Sequence, residues 1–121
     1  MAKIPEFLLK SLYVKGSLRL TSNGFQFKMK NDLGPARIIG VQPLLLDRKP
    51  VPMENCSFLH GEYEALFTDV NPDQSVLMRK GEALTISVRD SIIKPGRHYL
   101  GIHVIVKDMG SLRFTVSDQA K

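Results

Sequence analysis

Leu12-Tyr13-Val14-Lys15-Gly16-Ser17-Leu18-Arg19-Leu20-Thr21, then Ser22-Asn23-Gly24, then Phe25-Gln26-Phe27-Lys28-Met29-Lys30: this stretch decides the fold class. Leu12, Val14, Gly16, Leu18 and Leu20 fall on one side, and Tyr13, Lys15, Ser17, Arg19 and Thr21 on the other. A period of two is that of a strand with one buried face, because successive side chains leave a strand on opposite sides. Phe25, Phe27 and Met29 continue the pattern against Gln26, Lys28 and Lys30. Asn-Gly between two such runs is the strongest short hairpin signal, since both residues accept positive φ.

Working outward, the same grammar recurs. Asn31 to Pro35 is a turn by composition, and Arg37 to Leu46 is apolar on both sides, as in a central strand or one at a subunit contact. Pro43 has no N–H for a ladder, so a bulge or edge is expected there. Cys56 to His60 and Tyr63 to Phe67 predict two short strands around Gly61, and Ser75 to Met78 is short and apolar. Leu84, Ile86 and Val88 alternate. The Lys94-Pro95-Gly96 turn leads into Leu100, Ile102, Val104 and Val106, and Met109-Gly110 turns into Leu112, Phe114 and Val116. Eight or nine strands with frequent turns and no long helical period predict an all-β, antiparallel two-sheet sandwich of immunoglobulin-like character. One domain, 1–121, is expected. Residues 1–11 would form an N-terminal arm with a short helical turn after Pro5, and 12–118 the sandwich.

With 121 residues and a 43% hydrophobic fraction the chain can build a core. Its net charge of +5 is scattered, without a like-charge block or interleaved aromatics, which argues against a nucleic-acid surface. No apolar run reaches the ~20 residues of a membrane span. Cys56 is the lone cysteine, so no internal disulfide forms, which fits a cytoplasmic protein.

Reactive constellations are sparse. No glycine-rich run opens a long helix, which argues against nucleotide cofactors. His98 and His103 are five apart on one predicted strand and point to opposite faces, so they share no metal. Asp69 and Asp73 lack calcium-loop spacing, and Cys56 reads as a buried, inert thiol. His60 with Glu62, near Tyr63, is the one candidate acid/base cluster, and a free-standing small enzyme would have to use it. The catalytic, cofactor and metal sets of this chain are therefore expected to be empty. The surplus is apolar. Phe7, Leu8, Leu9, Ile39, Val41, Tyr63 and Phe67 are the candidate interface residues.

Gly24-Phe25-Gln26-Phe27-Lys28-Met29-Lys30-Asn31, together with Leu84-Thr85-Ile86-Ser87-Val88 and Lys94-Pro95-Gly96-Arg97-His98, resembles the small β-subunits of the C-deglycosylation enzymes. Arg97 stands where that family carries an acidic residue. The resemblance runs over roughly residues 12 to 118. It implies a β-sandwich that pairs with a larger barrel-fold α-subunit, which holds the divalent metal and the acid/base residues. That complex cleaves the C–C bond between an oxidised sugar and its aglycone. The small subunit supplies structure and part of the substrate entrance, and no catalytic residue carries over to this chain. The expected function is thus a non-catalytic accessory subunit of a hetero-oligomeric enzyme. The alternative is a stand-alone, homo-oligomeric ligand-binding sandwich.

Overall fold

The hairpin at Asn23-Gly24 forms, but its two strands are unequal. In the computed structural model, which describes residues 4–121, helix α1 (Glu6–Lys10) is followed by β1 (Arg19–Leu20), only two residues long, and β2 (Gly24–Lys30). The predicted strand from Leu12 is interrupted by a turn at Lys15–Gly16, where Gly16 takes φ +82°. Before that turn, Tyr13 bridges to Met29, and after it Leu20 pairs with Phe25. Neither Asn23 nor Gly24 adopts positive φ. Glycine is required at 24 for another reason: a Cβ there would lie 1.9 Å from the Val88 carbonyl oxygen.

The remaining strands are β3 (Ala36–Val41), β4 (Leu45–Leu46), β5 (Lys49–Pro50), β6 (Cys56–His60), β7 (Tyr63–Leu66), β8 (Val76–Met78), β9 (Ala83–Arg89), β10 (Gly96–Val106) and β11 (Gly110–Ala120). One antiparallel sheet runs β1-β2-β9-β6-β7. In the other, β10 lies between β11 on one side and β3 and β4 in succession on the other, with β8 and β5 outside these. The sandwich is as expected; the strand number is higher because two-residue edge strands leave no periodic signal. Arg37 to Leu46 is not one strand. Five residue steps from Val41 to Leu46 face four from Val104 to Leu100, and Pro43 sits in the resulting irregularity.

The inward faces build one core. Phe27 and Phe58 both pair with Ile86 across the first sheet, and Phe25 and Cys56 both pair with Val88. Leu100, Ile102, Val104 and Phe114 meet them from the second sheet, all buried. The N-terminal segment packs against β11, with Leu9 buried in the core. Asp118, itself buried, locks this segment down: it accepts from Tyr13 Oη at 2.5 Å, Gly16 N at 2.9 Å and Leu18 N at 3.4 Å. Of the predicted arm 1–11, residues 1–3 lie outside the described residues.

Candidate functional site

The polar side chains that cluster serve as ties between elements. Asp47 and Arg48, at φ 51° and 72°, form the two-residue turn between β4 and β5. Asp47 Oδ1 accepts from Tyr99 N at 2.9 Å, and its Oδ2 lies 2.6 Å from His98 Nδ1. His98 Nε2 lies 2.7 Å from the Lys94 carbonyl oxygen. Both ring nitrogens thus face acceptors, which only the imidazolium satisfies with two N–H groups. Partial burial opposes the charge, but the Asp47 hydrogen bond, the Lys94 carbonyl and the Asp47 charge outweigh it and raise the His98 pKa. A raised pKa means that this stability is fully present below the ordinary histidine range and is lost as pH rises through the folded value. Thermal melts from pH 5 to 9 should therefore show a stability loss on the alkaline side of about pH 6.5. His98→Gln should flatten that limb.

The predicted His60–Glu62 cluster does not assemble. Gly61, at φ 63°, and Glu62 form the hairpin tip between β6 and β7, leaving Glu62 exposed. His60 instead reaches Glu82, at 3.1 Å, and Glu82 also accepts from Arg79 N at 2.7 Å. That hydrogen bond foremost, then the charges of His60 and Arg79, hold the Glu82 carboxyl below its usual range. His103 lies on the outer face; its Nε2 is buried without a hydrogen-bond partner, and burial, then Arg113, lower its pKa, favouring the neutral ring. Cys56 is fully buried, and burial pushes its thiol up to about 11, so the nucleophilic thiolate is disfavoured at neutral pH. Among the described residues no three His, Cys, Asp or Glu side chains are placed to hold a metal ion. Among them, too, no helix is long and apolar enough to cross a membrane.

Two of the predicted interface residues lie inside. Leu9 is 4% exposed in the core, and Phe67 is 3% exposed with its ring centroid 4.6 Å from that of Phe58. Each sits in a short helical turn beside an exposed neighbour, and local composition does not tell which side faces the core. Ile39 and Val41 on β3 are partly buried, while Phe7, Leu8 and Tyr63 are exposed.

A further exposed surface lies apart from the seven candidate interface residues. On the outer face of the second sheet, Leu45 and Tyr99 stand exposed. Gly101 lies between Leu45 and Thr115 in register, and a Cβ at Gly101 would come 3.0 Å from the Leu45 side chain. With Arg48 these residues line a shallow depression. Across Tyr99 and Thr115 it adjoins a second one lined by Lys10, Tyr13, Lys15, Val116 and Ser117. The result is a mixed surface in which Leu45 and Tyr99 stand among polar groups, with the cations Arg48, Lys10 and Lys15 on its lining. The nearby carboxylates are engaged, Asp47 by His98 and Asp118 by Tyr13.

Residues 8–121 match the model of the family described as hydroxymethylglutaryl-CoA reductase, N-terminal domain. The chain belongs to that family. No curated protein matches it. Membership of this reductase N-terminal domain family overturns the resemblance to the C-deglycosylation β-subunits. The physical reason is visible in the sheet. The two quoted runs are β2 and β9, paired from Gly24 with Arg89 to Lys30 with Ala83, and the third is the bend at Pro95 that leads into β10, where the expected turn is not formed. Alternating apolar residues, and Pro and Gly just before a strand, are favoured in sandwiches of many families. In this reductase N-terminal domain they report local geometry and not ancestry.

Proposed function

We propose that this domain is a non-catalytic accessory module that docks a larger catalytic body through the outer face of its second sheet. The observation that carries the reading is the Leu45–Tyr99 surface over Gly101, with its rim of Arg48, Lys10 and Lys15. Exposed aromatic and aliphatic groups ringed by arginine and lysine are typical of a contact centre and its polar rim. The family description, which names the N-terminal domain of an enzyme, supports a module serving a catalytic partner. So do the duties of the titratable groups: Asp47, His98, Glu82 and Asp118 are all spent on holding backbone and neighbouring elements. The partner's complementary surface carries carboxylates around an apolar contact.

Purification of the full-length protein from its native host, with mass determination, tests this. The wild-type chain is expected to co-migrate with a larger protein, and the association to weaken as salt rises, since exposed rim charges are screened beyond about 8 Å at physiological ionic strength. Leu45→Asp with Tyr99→Asp should release the protein from that larger species with its thermal stability kept. A wild-type chain that forms only symmetric homo-oligomers through this face would replace the reading with self-association.

A further inference from the structure

Between the two sheets, at the end where the 31–35 loop meets the 107–109 turn, lies a cavity of about 120 Å³. Protein interiors hold few voids larger than a water molecule, so a space of this size in a 121-residue sandwich is unusual. Phe58 and Leu84 wall it from the first sheet, Val104 and Phe114 from the second. Among the described residues the one polar side chain on its lining, Asn31, is engaged: its amide donates to the Gly34 and Met78 carbonyl oxygens, and its Oδ1 accepts from Leu33 N. The lining is overwhelmingly apolar and offers a water molecule little to bond to, and apolar cavities of comparable size stay dry and take up benzene-sized guests. Leu33 and Met109, 43% and 40% exposed, form an apolar rim, and Met29 and Met78 line the interior. Unbranched thioether side chains yield readily to a guest.

We propose that this cavity is a binding site for a small uncharged hydrocarbon group, a single aromatic ring or a short alkyl chain, entering between Leu33 and Met109. The site is separate from the outer-face groove and does not depend on it. A charged ligand is disfavoured, because no charged side chain among the described residues lines the cavity to compensate a buried charge.

Toluene titration of the full chain carrying 13C-methyl methionine tests this. Met29, Met78 and Met109 should shift saturably, while Met53, which is not on the lining, stays unmoved. Benzoate should produce no such shift. Ala36→Leu and Leu112→Phe each add volume at a lining position, and whichever folds should abolish the toluene response. Non-saturable shifts, shifts of equal size at Met53, equal binding of benzoate, or an unchanged response in a folded filled variant would each overturn the proposal.

Discussion

Asp118→Ala is expected to destabilise the protein by about 3 kcal/mol, because it strips Tyr13, Gly16 and Leu18 of the acceptor they share. Tyr13 Oη, Gly16 N and Leu18 N all point at one carboxylate oxygen, and Tyr13 packs on Phe27 with ring centroids 5.8 Å apart. Removing the acceptor leaves these donors facing a hole and frees the whole 13–18 segment from β11. For a chain of this size the loss corresponds to a melting temperature lower by roughly 10–15 °C. Asp118→Asn, which keeps an acceptor oxygen but not the charge, should cost less. The pH dependence runs in two directions. Burial opposes ionisation of Asp118, but the Tyr13 hydroxyl and the Gln119, Leu18 and Gly16 amides outweigh it and lower its pKa. This part of the stability is present above the ordinary carboxylate range and is lost as pH falls through the depressed value, below about pH 4. Burial and the Asp118 partner raise the Tyr13 pKa, so its contribution is present below about pH 10 and is lost as pH rises beyond it. Denaturant melts across pH, with Tyr13→Phe as the comparison, separate the two limbs.

Gly24→Ala is the second large effect, expected to cost about 3 kcal/mol. The added methyl would fall 1.9 Å from the Val88 carbonyl oxygen and 2.9 Å from its carbon. These are backbone atoms of β9, the neighbour of β2, and cannot rotate away as a side chain would. The sheet must open at the Gly24–Arg89 pair, pulling Phe25 away from Val88 in the core. Gly61→Ala separates this cause from simple backbone preference. Gly61 has φ 63° with nothing near its missing Cβ, so alanine there costs about 1 kcal/mol of left-handed strain. Equal costs at the two positions, measured by urea denaturation, would refute the close-approach explanation for Gly24.

Much of the sandwich was legible because strand periodicity is a local property. Phe25, Phe27 and Met29, like Leu84, Ile86 and Val88, declare their buried face by spacing alone, and both sets are buried in the core. The Leu12 to Leu20 run carried the same period, yet most of it is not strand. There the turn at Gly16 and the distant carboxylate of Asp118 prevail over alternation. The outer-face groove was illegible for a related reason. Tyr99 and Leu45 lie in separate runs and meet only because β4 pairs with β10. His98 finds Asp47 by the same pairing, 51 residues away.

The sequence by itself determined that this chain alternates into two antiparallel sheets, where it turns, and which faces of its longer strands are apolar. Those properties follow from neighbours one or two residues apart. Only the tertiary structure decided that Leu9 and Phe67 are core, that His60 seeks Glu82 and not Glu62, and that Leu45, Tyr99 and Arg48 share one surface. Such meetings depend on the order and register of strands, which alternation along a single chain does not encode.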